Sequence, residues 1–189
     1  MLGIPPYGTE IFWGEMSPCE HSVQIYENDE RFLETLEEFV VSGLIAGECA
    51  IVVATAPHRK ALAARLTSRG IDMEEVRRRD AYIVLDAQDT LSEFVNNGWP
   101  DEDKFRELAT GLLKRARANG RRVRAFGEMV AVLWANGHSA ATVRLEHLWD
   151  DLCKEEDFII FCAYPRIGFT DFALKSLEDI CAAHSRVLN

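Results

Sequence analysis

The chain has 189 residues, 48% of them hydrophobic and 28% charged, which fits one globular domain able to bury most of its apolar surface. A formal net charge of −10 excludes a broad non-specific nucleic-acid surface, because such a surface needs clustered Lys and Arg to displace counterions. No apolar run approaches the roughly 18–20 residues of a membrane span, and the first residues lack the basic-then-apolar layout of a secretion signal, so a cytoplasmic protein with no membrane partner is expected.

Residues 1–20 read as an irregular arm, broken by Gly3, Pro5, Pro6, Gly8, Gly14 and Pro18. Tyr7, Phe12 and Trp13 give it rings that pack on this domain or on a partner. An alternation of strands and helices then runs through a single domain, residues 21–189. A short strand at 22–26 leads through an acidic turn to a helix whose Phe32, Leu33, Leu36, Phe39 and Val40 recur at helical spacing, with Gly43 and Gly47 ending it. The unbroken apolar run 49–54 is the mark of a strand covered on both faces. Pro57 suits a first helical turn, Gly70 a helix stop, and Asp72-x-x-Glu75 a capping box. A third strand at 82–85 precedes Thr90-x-x-Glu93, also at capping-box spacing, with Asn97-Gly98 closing that helix. From Asp101, the apolar residues Phe105, Leu108, Ala109, Leu112, Leu113 and Ala116 mark the clearest helix, with Lys114 and Arg115 near its negative end. A fourth strand, ending at Phe126, hands over to a helix reaching Trp134, and Ser139 can cap another carrying Leu145, Leu148, Trp149 and Leu152. A fifth strand at 158–163 and a last helix capped by Thr170 complete the pattern. Such repetition predicts an α/β fold of three layers, with a mostly parallel sheet of five or more strands and helices on both faces.

In parallel sheets, ligands bind at the carboxyl ends of the strands. The exits here are polar: Tyr26, Glu27 and Asn28; Thr55 and His58; Asp86 and Gln88; Glu128; Tyr164 and Arg166. On one rim these groups would surround a small-molecule pocket. The stretch 121–133 stands out, because Glu128 follows Gly127 where a buried strand becomes a helix. Two readings of Glu128 stay open: a ligand contact, or an acidic residue favoured by a helix amino end. Arg144 flanks the apolar stripe of its helix and can reach inward, which makes Glu128 its expected partner. His21, just before the first strand, can orient Glu or Tyr side chains or simply satisfy backbone groups.

Several chemistries are excluded by motif. The first strand is followed by Y-E-N-D-E-R-F, without the glycines and lysine of a phosphate loop, and no G-x-G-x-x-G or G-x-S-x-G occurs. A hydrolase using Glu27 and Glu128 stays open as an alternative. The five cysteines, Cys19, Cys49, Cys153, Cys162 and Cys181, form no C-x-x-C pair, which suits a reducing compartment. Cys19 and His21 have ligand-like spacing, but no second pair accompanies them, so no metal or other cofactor is expected.

Taken together, H-S-V-Q-I-Y-E-N-D-E (21–30), G-L-I-A-G-E-C-A-I-V-V-A-T-A-P-H (43–58), L-D-A-x-x-T-L (85–91), G-W-P-D (98–101), R-V-R-A-F-G-E-M-V-A-V-L-W (122–134), R-L-E-x-L-W (144–149) and F-C-A-Y-P (161–165) resemble the MEDS domain. This family is named for methanogen and methylotroph sensors and for a dichloromethane-responsive regulator. The resemblance implies a bacterial or archaeal signalling input domain with a fold similar to RecA and the circadian-clock ATPases, but without their phosphate loop. It also implies small-molecule sensing without catalysis. Its characteristic positions here are His21, Tyr26, Glu27, His58, Glu128, Arg144, Glu146 and Tyr164, and the strand-exit argument makes these the candidate ligand contacts. About twenty residues follow the last motif, so the expected output is through a histidine kinase, response regulator or transcription factor, unless the chain is a piece of a longer one. The alternative expectation is a protein–protein interaction module without a ligand, such as a homodimer assembled through exposed aromatics.

Overall fold

The run Cys49–Ala54 forms strand β2, and all six of its residues are buried, as a strand covered on both faces requires. In the computed structural model, which describes residues 13, 16, 17, 19–168 and 174–188, β2 lies inside a six-stranded sheet. The elements in order are β1 (His21–Tyr26), α1 (Asp29–Ile45), β2, α2 (Ala56–Ser68), α3 (Met73–Arg78), β3 (Tyr82–Asp86), α4 (Ala87–Phe94), β4 (Val95–Asn96), β5 (Trp99–Pro100) and α5 (Glu102–Ala116). There follow β6 (Val123–Gly127), α6 (Met129–Ala135), α7 (Ser139–Glu156), β7 (Ile159–Pro165), α8 (Leu174–Ala182) and β8 (Arg186–Leu188). The sheet order is β3-β2-β6-β7-β1-β8, and every pairing in it is parallel. The expected Tyr7 and Phe12 contacts and the Thr170 cap lie outside the described residues.

Side-chain alternation separates two cores. Phe32, Leu36 and Phe39 of α1 and Leu62 and Leu66 of α2 pack on one face, over Val52, Phe126 and Phe161. Helices α4 to α8 cover the other, where Phe94, Phe105, Leu145, Trp149 and Ile180 meet Ile51, Ala125 and Ile160. The three layers follow. No helix among the described residues is long and apolar enough to cross a membrane.

A guanidinium is buried within the first core. Arg124 of β6 points under α1, where its Nε donates to Glu48 Oε2 at 2.7 Å and its Nη1 to Phe39 O at 2.6 Å and Ser42 Oγ at 2.7 Å. This guanidinium explains Gly43, which was expected to end α1 but lies inside it. A Cβ there would collide with the Arg124 side chain. The turn out of α1 falls at Gly47 instead, with φ of 75°.

Other boundaries differ for local reasons. Asp86, not Thr90, caps α4, accepting from the backbone N–H groups of Gln88 and Asp89. Asn97-Gly98 makes a hairpin between β4 and β5, both residues at positive φ, as a two-residue Asn-Gly loop does. The cap position before α7 is His138, and Ser139 is its first helical residue. Asp72 and Asp101 cap α3 and α5 as their spacing predicts, each worth about 1 kcal/mol.

Candidate functional site

Parallel pairing brings the carboxyl ends of β1, β2, β3, β6 and β7 to one edge. From β2 the chain passes to α2 on one face, while from the adjacent β6 it passes to α6 on the opposite face. Such a parting of neighbouring strands opens the crevice where α/β sheets take ligands.

Glu128 lies across this parting. It follows β6 at the amino end of α6, yet makes no capping bond to that helix. Its carboxylate reaches the exit of β2, where Thr55 N–H donates to Oε2 at 2.7 Å and the Thr55 hydroxyl to Oε1 at 3.2 Å. His58 Nδ1 lies 2.7 Å from Oε1. Thr55 is the cap residue of α2 and has no side-chain capping bond of its own. The Glu128 carboxylate therefore serves as the anion beside the amino end of α2, where helix partial charge is positive.

Two rings lie beside the His58–Glu128 pair. Tyr26 stacks on Phe32 with centroids 4.7 Å apart, and Phe32 meets the His58 ring edge-on at 4.9 Å. Asp29 Oδ2, at the start of α1, is 3.9 Å from His58 Nε2. The hydrogen bond to Glu128 raises the His58 pKa above the ordinary 6.5 against the opposing effect of burial. Burial pushes the Tyr26 hydroxyl up, and the Glu128 and Asp29 charges add to it.

The eight candidate residues do not share one hollow. Tyr26, His58 and Glu128 come together. Tyr164 does not join them: it pairs in register with Ile25, whereas Tyr26 pairs with Pro165, and a one-residue offset turns side chains to opposite faces. Glu27 points to solvent, 72% exposed, with its Oε1 3.2 Å from Arg166 Nη1. Arg144 does not reach Glu128. It stays at the surface and pairs with Glu102 of α5 at 2.5 Å.

The inward charge of α7 is Glu146, fully buried. Tyr164 donates its hydroxyl to Glu146 Oε1, and His21 Nε2 lies 3.4 Å from Oε2. Two residues that the sequence did not single out for this role complete the group: Cys162, whose Sγ donates to Oε2 at 3.4 Å, and His184, whose Nε2 is 3.4 Å from the same oxygen. Burial opposes the charge of Glu146, yet the two imidazoles hold its pKa below the usual carboxylate range. Burial and that carboxylate together push the Cys162 thiol and the Tyr164 hydroxyl up. A period-two reading of β7 does put Cys162 on the face of Tyr164. Nothing local to His184 announces it. Cys19 turns away from His21 and donates to Asp157 at 3.3 Å.

A void of about 20 Å³ lies between β2, β6 and β7 and helices α5 and α7, lined by Ile51, Val53, Leu113, Ala125, Trp149 and Ile160. It has room for about one water, and so apolar a lining leaves it dry.

A comparison with curated proteins finds no match. A family model does match: MEDS, described as "MEthanogen/methylotroph, DcmR Sensory domain", over residues 20–185. That span holds strands β1 to β7 and both polar groups, and by it the chain belongs to the MEDS family of sensory domains.

Proposed function

We propose that this sensory domain works without catalysis, binding a small molecule at the parting of β2 and β6 and passing the change to a signalling partner such as a histidine kinase, response regulator or transcription factor. The observation that supports this reading is the Glu128 carboxylate joining the exits of two neighbouring strands whose chains leave to opposite faces. A ligand with its own acceptor or donor competes for Thr55 and His58, and any preference between the joined and parted arrangements becomes a shift in their populations. Asp29 and Phe32 carry that shift into α1. Hydrolysis by a carboxylate pair gains no support, since Glu27 is engaged with Arg166 at the surface and Glu128 with Thr55 and His58.

Thermal-shift screening of the full chain against small organic acids, alcohols, halogenated solvents and nucleotides tests the reading. At least one class is expected to raise the melting midpoint of the wild type, with the rise lost in Glu128→Gln and His58→Ala. No stabilisation by any class, or a rise that persists in both variants, overturns it.

A further inference from the structure

We propose that His21, Glu146, Cys162 and His184 form a four-ligand site for zinc or a similar divalent transition ion, buried between β1, β7, α7 and the segment that follows α8. The proposal is independent of any ligand at the β2–β6 parting.

The donor atoms, two imidazole nitrogens, one thiol sulfur and one carboxylate oxygen, all lie within 4.8 Å of one another. The two imidazole contacts to Glu146 fit a shared ion better than they fit hydrogen bonds, and the two sulfur contacts fit either. With Zn–N of about 2.0–2.1 Å, Zn–S of about 2.3 Å and Zn–O of about 2.0–2.2 Å, a tetrahedron has edges of about 3.3–3.6 Å. Three contacts to Glu146 Oε2, from His21, Cys162 and His184, measure 3.4 Å, and His21 Nε2 to Cys162 Sγ measures 3.6 Å. Charge-assisted N–H···O bonds would close to about 2.7–2.9 Å.

The surrounding groups aim the donors inward. His184 Nδ1–H donates to Ile180 O at 2.6 Å, which leaves the Nε2 lone pair facing the cluster. That Nε2 is buried without a hydrogen-bond partner, on a side chain with no solvent exposure. Tyr164 occupies Glu146 Oε1 and leaves Oε2 for the centre. Asp150 Oδ1 stands 3.8 Å behind His21 Nδ1. A carbonyl that fixes a ligand imidazole as Ile180 O fixes His184 is the usual outer shell of a zinc site, whereas His21 Nδ1 makes no hydrogen bond at that distance from Asp150.

The charges balance. On loading, Cys162 releases its S–H proton to solvent as the sulfur–metal bond forms, and any proton on the imidazole nitrogens leaves likewise. Thiolate and carboxylate together then neutralise a divalent ion. A mixed sulfur, nitrogen and oxygen set selects zinc-like ions over magnesium or calcium, which take oxygen ligands. Four protein ligands close the coordination shell, as in structural sites. The ion would fasten the chain just before β8 to the first strand of the sheet.

The test uses the full chain, stripped with a chelator and titrated with zinc alone, with cobalt(II) as the spectroscopic probe. One zinc per chain is expected, with a higher melting midpoint and, for cobalt, thiolate charge-transfer absorption. Cys162→Ser should lose that absorption, His184→Ala should weaken zinc uptake at least tenfold, and Cys49→Ser should change neither. If Cys162→Ser does not fold, His184→Gln replaces it, with the same expected loss of uptake. A folded, stripped wild type that takes up no zinc overturns the proposal, as does uptake undiminished in His184→Ala.

Discussion

Two buried or half-buried carboxylates anchor polar clusters in this sheet, and their surroundings differ. Glu128 meets its partners at hydrogen-bond distance, 2.7 Å to Thr55 N and to His58 Nδ1, beside solvent at the strand ends. Glu146 is sealed, and three of its neighbours stand at 3.4 Å around a single oxygen. The first carboxylate is satisfied by its own chain. The second leaves several donors pointed at a common centre. Two roles for one residue type thus separate by the distance to their partners, not by burial alone.

The sharpest way to break the comparison is to remove each carboxylate's charge. In chelator-treated protein, Glu146→Ala should cost about 3–5 kcal/mol, because the Tyr164 hydroxyl, the Cys162 thiol and the His184 imidazole, whose pKa is raised, are left in the core without the carboxylate they share. Urea unfolding measures it, and a loss under about 1 kcal/mol would sink the view that this core group is ionised.

At the rim, His58→Ala should cost less, about 1.5–3 kcal/mol, the scale of a hydrogen bond to a charged group. The cost should depend on pH. The His58 pKa is raised in the folded chain by Glu128, with Asp29 adding to it, while Tyr26 nearby is uncharged in this range. A raised histidine pKa gives stability that is whole below the unfolded value of 6.5 and fades as pH rises through the folded value. The wild type and His58→Ala should therefore converge in stability as pH rises from 6.5 through the folded value, and a gap widening with pH would contradict the pairing. The smallest effect belongs to Glu27→Ala. Its exposed pair with Arg166 is worth about 0.2–1 kcal/mol and should weaken in high salt, as denaturant midpoints in low and high sodium chloride would show.

Sequence patterning carried the layers well. The all-apolar run 49–54, the Asp101 cap and the helical spacing from Phe105 each state a local preference that packing then obeys. The β4–β5 hairpin was also legible, since Asn-Gly between short extended pairs is its signal, though it was read as a helix end. Strand β8 has only three residues and pairs only because β1 offers its edge. Side-chain direction was the harder matter. On α7, Arg144 and Glu146 are two positions apart and so point to different sides, and the expectation sent the wrong one inward. A long guanidinium next to an apolar stripe can fold back to water, where Glu102 meets it. Tyr164 and Tyr26 end neighbouring strands, but which face each takes depends on register, and no single strand encodes that. His184 enters its cluster through the tertiary path of the last helix.

The Arg124 side chain beneath Gly43 has a mechanical consequence. Guanidinium bonds to Phe39 O and Ser42 Oγ clamp the carboxyl half of α1 to the middle of the sheet, while its first turn carries Asp29 and Phe32 to His58. A rod bolted near one end does not slide; it pivots. A displacement at Asp29 would act on α1 as on a lever held at that clamp, opposed by the buried Phe32 and Leu36.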